Sequence, residues 1–211
     1  MRSVRQVAFI ICLMFAWNSG AVSEDARSDK DAAPENIAAG CSRDLFPFCL
    51  EEKGRAAGFS VELLQAALKV SGKKAEFKIG DWAQLREELS SGVIRILPVM
   101  ARMKEREALY EFTFPYLTMS NAIVVDKRNQ GIRRPQDLAG KRVIVKLLDS
   151  ADDYITNSGI NATISRVESY EGALRQVANG GQDAAIIQKL AFSQRSLKPD
   201  LATVRCADLL A

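Results

Sequence analysis

Histidine is absent from the whole chain. Its absence excludes Ser-His-Asp and Cys-His nucleophile systems, Cys2His2 fingers and the HExxH metalloprotease pair, because each needs an imidazole to carry a proton or hold a metal. The 13 glycines form neither a GxGxxG run nor a GxxxxGK run closed by Ser or Thr. The two common phosphate-cradling loops are therefore missing, and no cofactor or metal is expected. An excess of one charge sign is also lacking, with 29 basic against 26 acidic residues. The formal net charge is +3, with no clustered basic stripe, so no nucleic-acid partner is expected. Against these absences stand 47% hydrophobic and 26% charged residues, the balance of a folded protein. A length of 211 residues suffices for one large domain or two small lobes with a buried core.

The N-terminus reads as a targeting segment. Arg2 and Arg5 open it without an acid, residues 7–17 are apolar, and the small triplet Ala21-Val22-Ser23 closes it. That order is a secretory signal peptide over 1–23, and the apolar part is shorter than the roughly 20 residues that span a bilayer. Residues 24–36 are polar and alanine-rich and read as a flexible leader. Export to the periplasm is the expectation. Ala38-Ala39-Gly40-Cys41 has the look of a lipobox but lies far beyond the apolar segment, so Cys41 is read as closing a strand. An exported chain permits disulfides among Cys41, Cys49 and Cys206. The spacing of Cys41 and Cys49 fits two ends of a turn, and all three also fit as small buried hydrophobes; the sequence does not choose.

Beyond the leader the pattern alternates strand and helix. Phe59–Val70 sets Val61, Leu64, Ala67 and Leu68 on one helical face, with Ser60 as cap. Residues 74–79 alternate as a strand. Residues 81–91 form a helix with Asp81 as N-cap and Gln84 completing a capping box. Residues 94–100 read as a strand limited by Pro98. A short helix over 103–110 and an extended aromatic stretch over 112–116 follow. Strands are expected at 122–125, 142–147, 162–167, 183–187 and 201–205, and helices at Ser150–Asn157, Tyr170–Ala178 and from Lys189, with a helical turn at Pro135–Leu138. Ser150 is the expected cap of its helix. Buried strands between helices predict an α/β protein with parallel sheets covered on both faces, and ligands then bind at the carboxyl ends of the strands.

Three stretches together carry a resemblance. The first is Asp44-Leu-Phe-Pro-Phe48 with Gly58-Phe-Ser-Val-Glu-Leu63. The second is Trp82, Leu85 and Leu89 with Met100-Ala-Arg-Met-Lys-Glu-Arg106 and Phe112-Thr-Phe-Pro-Tyr116. The third is Asp137-Leu-Ala-Gly-Lys-Arg-Val143 with Tyr170, Ala173-Leu174 and Asp183-Ala-Ala185. In this order and spacing the chain resembles the bacterial extracellular solute-binding proteins of family 3, the polar amino-acid type.

The resemblance implies a two-lobe periplasmic-binding-protein (Venus-flytrap) fold, with lobe 1 over 37–121 and lobe 2 over 122–211. It also implies a C-terminal segment returning to lobe 1, and none is expected before Ala211. The implied function is non-enzymatic capture of an amino acid or related carboxylate in the interlobe cleft. Delivery would be to an ABC permease in the inner membrane; the alternative is a sensing module for a kinase or cyclase, and an enzyme on the same fold ranks last. Arg106 falls where the family grips a ligand carboxylate, a task suited to a planar two-donor fork. Trp82 is an implied aromatic wall, Phe46 and Phe48 implied rim, and Met100 and Ala101 implied lining. Ser150 is implied at an anion-favouring helix start. Departures are visible: Ala101 and Met103 stand where the family has hydroxyls, and Gln188 stands where it has the acid that holds an ammonium. A neutral amide cannot neutralise that charge, so a carboxylate lacking a free α-amine is one ligand class this departure admits, and the sequence does not identify the ligand.

Overall fold

A computed structural model describes residues 35–210. The signal peptide expected over 1–23 and nearly all of the leader expected over 24–36 lie outside the described residues.

The first lobe carries β1 (Asn36–Ser42), β2 (Asp44–Leu45), β3 (Cys49–Glu52), β4 (Arg55–Ala57), α1 (Phe59–Val70), β5 (Lys74–Gly80), α2 (Trp82–Ser90) and α3 (Lys104–Glu107). The second carries β6 (Asn121–Asp126), β7 (Arg142–Lys146), α4 (Ser150–Asn157), β8 (Thr163–Val167), α5 (Tyr170–Ala178), β9 (Ala184–Gln188), α6 (Lys189–Arg195) and β10 (Val204–Leu210).

In the first lobe β1 and β5 pair in parallel. The strand expected over 94–100 reduces to one bridge, Ile96 to Ala39. Pro98 has no N–H to donate and stops the ladder there. A small antiparallel sheet, β2-β3-β4, was not foreseen; its strands are two to four residues long, too short to show a period. Cys41 in β1 and Cys49 in β3 are joined as a disulfide, with their Cα atoms 5.5 Å apart. Cys206 is free and exposed.

Helix α1 has the expected bounds but not the expected buried stripe. Only Ser60 and Val61 are buried, Leu64 and Leu68 are half-buried, and Ala67 is exposed. The reason is its docking. The first turn plugs into the β2–β3 turn, with the Phe59 and Ser60 N–H groups donating to Pro47 O and Phe48 O at 3.1 and 3.0 Å. Gly58 is the cap in place of Ser60, at φ 110, and a Cβ there would meet both carbonyl oxygens at 2.7 Å. Only glycine fits that approach.

The second lobe is one five-stranded sheet in the order β10-β6-β9-β7-β8. β7 is parallel to β8 and β9, as expected, but β6 is antiparallel to β9, and β10 to β6. The expected strand over 201–205 starts later and runs to Leu210, after a 3-10 turn at Pro199–Leu201. Successive side chains leave opposite faces of a strand. Ala122, Val124, Ile144 and Ile187 therefore pack on α5 through Ala173, Leu174 and Val177. Ile123, Val125, Val145 and Ile186 pack on the other face against Ala151 and Ile155 of α4. Each fully buried aliphatic side chain contributes about 1.5–3 kcal/mol, so a strand such as Ala184–Gln188 reads as an unbroken apolar run because both faces are covered. The first core also contains Cys41, Leu45, Phe48 and Val61 of the first lobe.

Candidate functional site

A cavity of about 600 Å³ lies between the lobes. Trp82, Met100, Ala101 and Arg106 line it from the first lobe, and Ser150 and Gln188 from the second. Phe46 is not in its wall. It sits in the turn between β2 and β3, 37% exposed, while Phe48 turns into the core.

Arg106 is fixed by the short helix α3, whose N–H bonds return to Met103 O. Its side chain is 2% exposed. Nε and Nη2 donate to Asp153 Oδ2 at 3.0 and 2.7 Å, and Nη2 also donates to Leu148 O at 3.1 Å. The guanidinium carbon lies 5.9 Å from the Trp82 ring centre. Its partner is thus Asp153, an acid of the other lobe. Arg102 by contrast is exposed and pairs with Glu107.

Trp82 opens α2. Asp81 precedes it as N-cap without a side-chain cap bond, and its carboxylate lies 3.5 Å from Arg43. The Gln84 amide donates to Glu88 at 2.9 Å, so the expected capping box does not form. Trp82 Nε1 donates to Leu148 O at 2.8 Å, as does Arg86 Nη1 at 2.8 Å. Leu148, at φ 58, lies in the left-handed region that a branched side chain seldom adopts. Its carbonyl therefore collects donors from Trp82, Arg86 and Arg106, all of the first lobe.

On the opposite wall the cap of α4 is Asp149, not Ser150. Asp149 Oδ1 accepts from Ser150 N at 2.7 Å. Ser150 is the first helical residue, and Asn121 Nδ2 lies 3.3 Å from its hydroxyl. Gln188 is 4% exposed, and its Oε1 accepts from Ala191 N at 2.8 Å to cap α6. Its acceptor is spent on the helix.

Sequence reasoning missed Lys146 and Asp149. Lys146 closes an apolar strand at its carboxyl end, where sheets of this kind bind ligands. That position was the available signal. Its ammonium lies 4.6 Å from the Tyr170 ring centre and 3.4 Å from Asp44 Oδ2. Asp44 also pairs with Arg195 and accepts from Tyr170 N at 3.0 Å. The Tyr170 hydroxyl donates to Asp149 Oδ2 at 2.7 Å. Burial first, then the Asp149 charge, pushes the Tyr170 hydroxyl well above its ordinary pKa, so it stays a donor. Two interlobe seams result: Arg106 with Asp153 and Leu148, and Asp44 with Lys146, Arg195 and Tyr170.

The profile of the bacterial extracellular solute-binding proteins, family 3, matches residues 37–198. A probable amino-acid-binding protein of Bacillus subtilis, YxeM, is 30% identical over 194 residues, covering 88% of this chain and 71% of that protein. The L-cystine-binding protein TcyA of the same organism is 28% identical, covering 69% of this chain and 54% of that protein. Among solved structures, an ancestral arginine-binding protein bound to arginine superposes with a TM-score of 0.75 at 25% identity, covering 84% of this chain and 80% of that one. A histidine kinase sensor domain with similarity to periplasmic binding proteins reaches 0.79 at 24% identity, covering 85% of this chain and 79% of that one, a likeness of fold.

Proposed function

The chain belongs to the bacterial extracellular solute-binding proteins, family 3, and from that premise we propose that it captures a small amino-acid-like ligand between its lobes. The observation that carries this reading is the interlobe cavity itself. Trp82 and Arg106 of one lobe and Lys146, Asp149 and Ser150 of the other bound a single space of about 600 Å³. That volume suits a small polar solute. The curated relatives are named as amino-acid-binding proteins. Delivery to an ABC permease from the periplasm, after removal of residues 1–23, completes the proposal. The sensing-module alternative would use the same cleft, and the sensor-domain likeness bears on its fold alone.

Binding without turnover fits the side chains present. The adjacent acids Asp152 and Asp153 of the second lobe are committed to Arg166 and Arg106. Neither stands free for proton transfer. The test is a thermal-shift screen with amino acids and small carboxylates, since a ligand stabilises by RT ln(1 + [L]/Kd). A rise in melting temperature that grows with ligand concentration is the expected result. A flat response across the set would overturn the reading.

A further inference from the structure

The charges around the cleft are not evenly matched. Arg106 has Asp153, Lys146 has Asp44, and Arg102 has Glu107. Asp149 lines the same cavity, yet among the described residues no lysine or arginine pairs with it. Its contacts are neutral donors, Ser150 N on Oδ1 and the Tyr170 hydroxyl on Oδ2, each at 2.7 Å. They fix the carboxylate in place without cancelling its charge. Its position as cap of α4 favours a negative charge there. Gln188 is neutral and its oxygen already accepts from Ala191 N, so it brings no competing negative charge. Glu111, the other acid in the wall, is exposed on the first lobe. The wall of the second lobe therefore holds one acid without a direct cationic partner, Asp149, beside one cation, Lys146, that shares Asp44 with Arg195.

We propose that Asp149 determines specificity by accepting a cationic nitrogen of the ligand, an α-ammonium or a side-chain guanidinium. The proposal rests on the ligand-capture reading and sets aside the class that Gln188 admits, a carboxylate lacking an amine. The Asp149 carboxylate that would receive a cation is pre-oriented by its two donors, so little reorganisation accompanies binding. The apolar part of the wall strengthens the attraction relative to water.

Calorimetry on the full chain tests this with L-arginine, L-glutamine and L-histidine, and with 5-guanidinopentanoate and 5-amino-5-oxopentanoate, which lack the α-amine of arginine and glutamine. Asp149→Asn keeps an N-capping residue and removes the charge. The expected result is that an amino acid bound by the wild type binds the variant about tenfold more weakly or worse. If the α-ammonium is the group held, 5-amino-5-oxopentanoate binds both proteins alike. If a guanidinium is held, 5-guanidinopentanoate weakens together with arginine while glutamine does not. Affinities within about twofold for every probe would overturn the proposal, as would equal weakening of glutamine and 5-amino-5-oxopentanoate, which carries no cation. If no probe binds the wild type, the capture reading itself falls. Asp149→Ser, another capping residue, repeats the comparison should the first variant fail to fold.

Discussion

Arg106 and Asp153 face each other across the cleft, Nη2 to Oδ2 at 2.7 Å, so the arginine expected to grip a ligand carboxylate already holds a carboxylate of the other lobe. The two ends of the pair are unequally buried, at 2% and 25% side-chain exposure. Removing the acid leaves a desolvated guanidinium with only the Leu148 carbonyl. Removing the arginine leaves an acid that water reaches.

That inequality predicts asymmetric stabilities. Breaking a fully buried pair costs about 3–5 kcal/mol. Asp153→Ala should approach that range, and Arg106→Ala should cost about 2 kcal/mol, because a part-exposed acid recovers hydration. Denaturant midpoints of both variants and of the double mutant check this. Equal losses would show that the unequal burial does not set the cost, and strict additivity in the double mutant would show that the pair does not act as a unit.

Gly58→Ala should destabilise the chain by about 1–3 kcal/mol. The position has φ 110, and its Cβ would lie 2.7 Å from two carbonyl oxygens that anchor the first turn of α1. An unchanged melting temperature would show that the β2–β3 turn yields easily.

The bounds of the helices were legible because helical spacing is local, but their caps were not: Gly58 stands in place of Ser60, Asp149 in place of Ser150, and the Asp81–Gln84 box does not form. Tyr170–Ala178 and Ser150–Asn157 have the bounds that the sequence predicts. Strand direction was not legible. A run such as Ala122-Ile-Val-Val125 states that both faces are covered, but not that β6 runs antiparallel to β9. In the site, Arg106 and Trp82 were found through resemblance, since a buried arginine and a surface one read alike in sequence. Asp149 is not singled out by sequence because Ser150 fits the cap position equally well. An Asp-Ser pair before a helix offers two candidates, and only the backbone selects between them. The pairing of Arg106 with Asp153 joins residues 47 positions apart, and no local rule reports it.

Acid should loosen the second lobe through Glu171. Hydrogen bonds from Lys198 and Arg175 hold its carboxyl at about 2, against an ordinary 4.5. A depressed folded-state value means that the stabilisation is present above 4.5 and is lost as pH falls towards 2. The group is about one-third exposed, so solvent screening keeps the effect to about 1 kcal/mol. Melting temperature should fall between those two pH values more steeply for wild type than for Glu171→Gln. Parallel curves would assign the acid sensitivity to other carboxylates.

Asp153 and a ligand carboxylate compete for Arg106. Asp153 Oδ2 takes both Nε and Nη2, the edge that would otherwise grip a ligand carboxylate by two parallel bonds. A ligand carboxylate must therefore displace Asp153 or settle for what remains of the guanidinium. If it displaces the acid, Asp153→Asn should tighten binding of a carboxylate-bearing ligand, because an amide oxygen competes less well than an anion for the same donors. A gain of about 1.4 kcal/mol would appear as tenfold in affinity. Arg106→Ala should act oppositely and weaken binding by roughly thirtyfold or more, the cost of losing one partner of a desolvated charge pair. Arg106→Lys should recover part of that loss, since an ammonium lacks the planar fork. Arg102→Ala is the control: its side chain is 54% exposed, so the change should stay below about 1 kcal/mol. Calorimetry with the best ligand from the screen reads all four variants. Tightening in Asp153→Asn together with loss in Arg106→Ala identifies Asp153 as an internal competitor. Equal affinity in Asp153→Asn and wild type, with Arg106→Ala still weakened, would mean that the ligand reaches the guanidinium without moving the acid.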